Sequence, residues 1–335
     1  MVSKKSKSKS TDLNPGDGYY EMNIRVGTEE QIKQNIPFAQ LINDPIVIKQ
    51  MQEMALSSIN DNYTRLVFNF IKNGGQLTDK DSCQFKAFDL EKLWNQSEQR
   101  GLPKFDSPVI PNFDNIKQYT RLTIICDDPK VVHQIIVIFI PKILIQNLSS
   151  GEKKQYGIIN SYDLLAVRTS ESEQLFEQIC TKSDVDIISI DLTKRLSFFI
   201  SKVLVKQALQ RGIQFEICYG AGCFEGSQTN RKQFLQNVMQ LVKVSKGKGI
   251  ILSCEANNSI YQRTPIDCIQ MQEINMNEFI RALMFGMGQR EALMTMQQNA
   301  QMVLKHSHMR KTYKGVAELV LKENQNEEEE EKMQM

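Results

Sequence analysis

The sequence predicts an α/β protein folded as a (β/α) barrel, and three observations carry that prediction. Short β-rich segments alternate with helical segments along most of the chain. About seven such strands fall within roughly 250 residues, a length that fits a closed barrel better than a small open sheet. Strand and helix follow each other singly, which implies parallel pairing through right-handed crossovers. An open, doubly wound sheet is the alternative arrangement.

The elements read in order as follows. Tyr20 to Val26 is a first strand. Ile46 to Asn60 has a helical period that places Val47, Met51, Met54, Ala55 and Ser58 on one face. Arg65 to Ile71 is a second strand, closed by Asn73, Gly74 and Gly75. Residues 76 to 117 are irregular, with several prolines and the only tryptophan, Trp94. Arg121 to Cys126 is a strand ended by Asp127-Asp128-Pro129. Tyr162 to Val167 is the next strand, followed by a helix from about Ser170 to Cys180. Val185 to Ile190 is another strand. Ser201 to Gln210 is a helix, with Val203, Leu204, Ala208 and Leu209 expected inward. The C-terminal region is helical over Asn275 to Phe285 and from Arg290 to about Lys305.

Residues Arg211 to Ser253 form the most informative unit. The strand Gln214 to Cys218 leads into a glycine-rich loop, Tyr219 to Gly226, and a helix from about Thr229 to Val244. Phe234, Leu235, Val238, Leu241 and Val242 recur on one face of that helix. Arg231 and Lys232 lie in its first turn, where the helix dipole disfavours cations and welcomes anions. Free N–H groups with two basic side chains suggest a place for a phosphate. Lys243, Lys246 and Lys248 close the unit before the strand Ile250 to Leu252. The loop does not match G-x-G-x-x-G, because Gly226 falls one position late, so a dinucleotide site is a weak reading.

Charge is distributed unevenly. Residues 11 to 191 carry 18 Lys/Arg against 25 Asp/Glu, and residues 192 to 316 carry 17 against 7. The second half therefore suits a polyanionic partner; a solvated basic surface is the plainer reading. Residues 1 to about 17 alternate lysine with serine and read as a disordered basic arm. Glu327 to Glu331 lie in an acidic tail, 317 to 335. The apolar run Ile135 to Ile145 is broken by Pro141 and Lys142 and is too short to span a membrane. Seven cysteines without paired spacing point to free thiols in a reducing compartment.

The chemistry expected of a barrel enzyme is thin. There are three histidines, His133, His306 and His308. The last two are two residues apart, so they do not share a helix face. No H-E-x-x-H, C-x-x-C, G-x-S-x-G or Walker loop occurs. Cys218 and Cys223 could share a zinc only with a second pair, and none has ligand spacing. Asp186 and Asp191 fall on opposite sides of a regular strand and read as capping or turn carboxylates. No catalytic residue, metal ligand or cofactor is assigned.

An ordered set of segments resembles the ribonuclease P/MRP 30-kDa protein subunit family. The set comprises Arg121 to Ile125, Tyr162 to Val167, Asp184 to Ser189 and Arg211 to Ile217 with Tyr219. It continues through Lys246 to Ser253, Pro265 to Asp267, and Arg310 to Thr312 with Gly315. It covers about 119 to 316 well, and Tyr20 to Val26 and Ile46 to Phe70 more loosely. The resemblance implies a TIM-barrel-like fold, 18 to 316, related to metal-dependent phosphoesterase barrels but without their metal ligands. It also implies a subunit that is not itself the catalyst. The RNA component would cleave the 5′ leader from precursor tRNA in a nuclear, nucleolar particle. The implied partners are ribonuclease P RNA, ribonuclease MRP RNA, precursor tRNA, a small RRM-like subunit and other ribonuclease P proteins.

Ser227, Thr229, Arg231 and Lys232 stand near a family serine, threonine and basic pair, with slightly different spacing. Residues 72 to 118 and 130 to 157 look enlarged, and Arg263-Thr-Pro-Ile-Asp267 lacks a glycine usual in the family. Taken with the charge of the second half, the resemblance makes Arg231, Lys232, Lys246, Lys248, Arg263, Arg310 and Lys311 the residues expected to face RNA. Two alternatives stay open. One is a free-standing metal-dependent phosphoesterase barrel, which would hold divalent metal. The other is a protein-only interaction module whose basic half binds an acidic partner.

Overall fold

Seven parallel strands run in the order of the sequence. They are β1 (Tyr19–Arg25), β2 (Tyr63–Asn73), β3 (Lys117–Ile125), β4 (Leu164–Thr169), β5 (Ile187–Ile190), β6 (Gln214–Cys218) and β7 (Ile250–Ser253). Each strand pairs with the next. Just beyond β7 the sheet meets its own first strand. The Glu255 N–H donates to Asn23 O at 2.9 Å, and the Arg25 N–H donates to Ala256 O at 3.1 Å. The result is a nearly closed seven-stranded (β/α) barrel. This computed structural model describes residues 18–74, 77–97, 111–126, 150–169, 171–223, 228–256, 258–272 and 287–312.

Helices connect and wrap the strands. They are α1 (Glu29–Lys33), α2 (Phe38–Leu41), α3 (Pro45–Asn60), α4 (Leu90–Asn95), α5 (Ser150–Asn160) and α6 (Glu173–Thr181). Then come α7 (Lys202–Gln210), α8 (Tyr219–Cys223), α9 (Gln228–Ser245), α10 (Pro265–Gln272), α11 (Gln289–Met296) and α12 (Gln298–Thr312). Local chemistry sets several starts. Asp44 caps α3 by accepting from the Ile46 N–H, with Pro45 at the first helical position, and Ser172 caps α6 through the Leu175 N–H. Among the described residues no helix is long and apolar enough to cross a membrane.

Strand alternation divides the core in two. Outward residues such as Phe68, Phe70, Leu122, Val167, Phe215 and Leu252 pack against Met51 and Ala55 of α3, Phe176 of α6 and Phe234 of α9. Inward residues at the N-terminal end of the strands form a second apolar cluster: Tyr20, Met22, Val67, Leu164, Ile187 and Ile251. Ala300 and Val303 of α12 join that cluster and close the barrel from below. Polar bonds lock this plug in place. Asp186, just before β5, accepts from Arg310 Nη2 at 2.9 Å and lies 2.8 Å from His306 Nδ1. Asn299 Nδ2 donates to Ile250 O at 2.7 Å, and the Ser307 hydroxyl donates to Asp163 O.

Several expectations are corrected. The segment expected as a loop from Tyr219 begins as the short helix α8. Val203, expected inward, is exposed, while Val205 and Ala208 of α7 are buried. The triplet Val203-Leu204-Val205 offered two faces, and position 203 lies roughly 200° from 205 around the helix. The expected helix from Arg290 to Lys305 is two helices, α11 and α12. His306, assigned no role from the sequence, pairs with Asp186. The basic arm, the acidic tail, the run Ile135 to Ile145, His133, Ser227, Gly226 and the helix expected at Asn275 to Phe285 lie outside the described residues.

Candidate functional site

Inward positions above the apolar floor are polar, and together they build one network. A bulge in β1 between Glu21 and Ile24 turns both Met22 and Asn23 toward the interior. Arg121 of β3 reaches across to Glu216 of β6 in a two-pronged pair, Nη1 to Oε1 at 2.5 Å and Nη2 to Oε2 at 2.6 Å, with neither residue exposed. Arg121 Nε donates to Thr123 Oγ1 at 2.9 Å, which donates to Asn69 Oδ1 at 2.7 Å. Asn69 Nδ2 then donates to Asn23 Oδ1 at 2.8 Å, and Asn23 Nδ2 to Glu216 Oε1 at 3.1 Å. The Ser253 hydroxyl donates to the same oxygen at 2.7 Å.

Electrostatics follow this wiring. Burial alone would raise the Glu216 carboxyl, but the Arg121 guanidinium outweighs it, with help from Arg168, and holds it down at about 2. Glu21 lies outside this ring of bonds. Burial pushes its carboxyl up to about 8, against the pull of the Cys254 and Asn23 N–H groups on Oε1. Its Oε2 meets no hydrogen-bond partner among the described residues.

The C-terminal ends of the strands open into a mouth, the place where barrel enzymes keep their chemistry. Arg168 of β4 clasps Glu255 there, Nη1 to Oε1 at 2.6 Å and Nη2 to Oε2 at 2.7 Å. It also donates to Ser189 Oγ from Nη2 at 2.9 Å. Glu255 holds a left-handed backbone, φ +57°, an unusual conformation for a residue with a side chain. Asp191 accepts from the Thr193 N–H and hydroxyl, and pairs with Lys194 at 3.1 Å. Among the described residues no group of three or more His, Cys, Asp or Glu side chains comes together as a metal site.

The cations expected at an interface fall in three places. Arg231 and Lys232 are exposed in the first turn of α9, on the side of the mouth. Lys246 and Lys248 are exposed beyond the other end of that helix, before β7. Lys311 is partly exposed near Asp163, 3.8 Å away, also toward the strand N-termini; its burial lowers its pKa. Arg263 is half-buried beside α3 and β2, with its carbonyl accepting from the Tyr63 hydroxyl at 2.9 Å. Arg310 departs from the expectation of an RNA-facing residue. It is 5% exposed, and its guanidinium points inward onto Asp186.

The glycines after β6 have a structural reason. A Cβ on Gly220 would stand 2.3 Å from Cys254 O, and one on Gly222 would stand 2.3 Å from the Phe234 ring. They let α8 press against β7 and α9. Sequence reasoning missed Arg168, Glu216 and Glu255 as a set. The available signal was a charged residue at an inward position of an otherwise apolar strand.

A family model described as RNase P subunit p30 matches residues 18–312. The chain is 29% identical over 218 residues to the ribonuclease P protein subunit p30 of Mus musculus, across 65% of this chain and 70% of that one. It is 33% identical over 205 residues to Protein GAMETOPHYTE DEFECTIVE 1 of Arabidopsis thaliana, across 59% of this chain. That alignment spans 31% of the Arabidopsis protein's length. Among solved structures, a chain in the cryo-EM structure of archaeal ribonuclease P with mature tRNA is similar, with a TM-score of 0.47 and 15% identity. The match covers 91% of this chain and 99% of that one.

Proposed function

The chain belongs to the RNase P subunit p30 family, and from that premise we propose that it is a non-catalytic protein subunit of ribonuclease P and of ribonuclease MRP. In this role it binds and supports the catalytic RNA during removal of the 5′ leader from precursor tRNA. One observation carries the non-catalytic part. Two buried carboxylates of the upper barrel, Glu216 and Glu255, each give both oxygens to an arginine. Neither is left to act as a general base or to take a cation.

RNA contact falls in this reading to the exposed cations, Arg231, Lys232, Lys246 and Lys248, with Arg263 and Lys311 at the margins. Phosphate contacts of this kind supply affinity and orientation without reading sequence. Arg310, turned inward, instead holds α12 in place. A small RRM-like subunit and other ribonuclease P proteins complete the particle, which works in the nucleus and nucleolus.

The test is purification of the tagged chain from its own cells. Ribonuclease P RNA and leader-removing activity should co-purify, and the recombinant chain alone should leave precursor tRNA intact. Recovery without ribonuclease P or MRP RNA would contradict the reading. So would phosphoesterase activity of the lone chain that is lost on chelation, which would favour a free-standing hydrolase.

A further inference from the structure

A groove of about 1010 Å³ lies between the start of α7, the C-terminal half of α9 and the start of α11. Its apolar side chains face solvent. Phe199 and Met239, which line it, are 69% and 56% exposed. Val203, beside Lys202 at the start of α7, is 65% exposed. Large apolar side chains gathered on one face mark an interaction surface, whereas single ones do not.

The charge around them is positive. Lys202, Lys243 and Lys246 line the groove against one carboxylate, Glu291. Lys206, one turn after Lys202 on α7, is exposed as well. The lysine ion pairs among the described residues lie elsewhere, at Lys33, Lys49, Lys72, Lys154, Lys194 and Lys311. The four groove lysines have no ion pair among the described residues. A fitting occupant is therefore apolar and acidic together. RNA phosphates would meet the lysines but leave Phe199, Val203 and Met239 uncovered. A second copy presenting the same face would set lysine against lysine.

The sequence that follows α12 combines both properties. Val316, Leu319, Val320 and Leu321 lead into Glu323 and the five glutamates Glu327 to Glu331. Its starting point suits the groove. Asn299, at the beginning of α12, donates to Ile250 O of β7, and Lys246 lies four residues before Ile250. From Asn299 to Thr312 the helix rises about 20 Å. Residues 313 to 319 can extend roughly 23 Å, enough to return Leu319 to the Lys246 end of the groove. A segment tethered this closely acts at an effective concentration on the order of millimolar, so weak exposed contacts suffice.

We propose that Val316 to Glu331 of this chain docks in the groove, with its apolar residues against Phe199, Val203 and Met239 and its glutamates on the four lysines. Lys246 is also among the cations expected to face RNA, so the docked segment competes with RNA there. That consequence rests on the subunit reading; the docking itself does not.

The experiment is zero-length carbodiimide cross-linking of the purified, RNA-free, full-length chain, read by mass spectrometry. The reagent joins a carboxylate to an amine in contact with it, with loss of water. Mixing isotope-labelled and unlabelled chains separates links within a chain from links between copies. Glu327 to Glu331 should link to Lys202, Lys206, Lys243 and Lys246 of the same chain. The variant Leu319→Ser, Val320→Ser and Leu321→Ser keeps every charge and should reduce these links severalfold. Phe199→Ser with Met239→Ser should do the same, with thermal melts confirming the fold; should that pair fail to fold, the tail variant decides. Absence of the links overturns the proposal, as do links unchanged in the serine variants. So do equal links to Lys86 and Lys92 in the β2–β3 connection, or links formed between copies. Links to the groove lysines from Glu273 or Glu278 instead would give the groove to another segment and also overturn it. Added ribonuclease P RNA should lower the yield. RNA that binds without lowering it overturns the competition, whereas absence of RNA binding counts against the subunit reading and leaves the cross-links to decide the docking.

Discussion

Arg121 shows how one side chain organises the barrel interior. Its guanidinium is fully buried, spends two donors on Glu216 and others on Thr123 Oγ1 and Met22 O. Removing one partner of such a pair strands the other charge, at a cost of about 3–5 kcal/mol. Arg121→Ala or Glu216→Ala should each lose about that much in chemical denaturation, and the double variant much less than the sum. Glu216 also sets the acid limit. Its folded pKa of about 2 lies below the ordinary glutamate value of 4.5, so its stabilisation is present above that value and is lost as pH falls toward 2. Glu21 works in the opposite sense. Its folded pKa of about 8 lies above 4.5, so stability declines as pH rises through that window. Glu21→Gln keeps the acceptor for the Cys254 and Asn23 N–H groups and should flatten the fall in Tm between pH 5 and 9. Arg121 was readable as a strand residue, but its partner was not, because 95 residues separate it from Glu216.

At the scale of elements, α12 carries the clearest consequence. Asp186 ties it to the strand N-termini by accepting from Arg310 and the Leu165 N–H and meeting His306. Asp186→Asn should raise hydrogen exchange across residues 298–312 ahead of the rest of the barrel. An unchanged exchange pattern would show that apolar packing of Ala300 and Val303 suffices. Gly222→Ala puts a methyl 2.3 Å from the Phe234 ring and should cost about 1–3 kcal/mol in thermal or denaturant unfolding. Strands and the long helices α3 and α9 were legible because periodicity follows directly from which face is buried. The helical turn of α8 was not, since Tyr-Gly-Ala-Gly-Cys has loop chemistry and only packing against Cys254 and Phe234 makes it a helix. Val203 failed for a related reason: two apolar faces were available on α7, and the neighbouring helices chose one.

For the whole molecule, the barrel spreads its basic residues over two ends. Helix α9 has eighteen residues, so it is roughly 27 Å long at 1.5 Å per residue. Arg231 and Lys232 begin it near the mouth, and Lys246 and Lys248 follow it near the opposite end. The charge asymmetry of the sequence was legible, whereas its division between two ends depends on the direction of one helix. RNA held by both ends should dissociate steeply with salt, and binding insensitive to ionic strength would speak against phosphate contact. The most direct measurement is the amount of ribonuclease P RNA recovered per tagged chain, compared with a variant reversed at Arg231, Lys232, Lys246 and Lys248. These side chains are exposed, so the variant should keep its Tm. The account predicts a severalfold loss of RNA from a folded protein. Undiminished RNA recovery with all four charges reversed would contradict it.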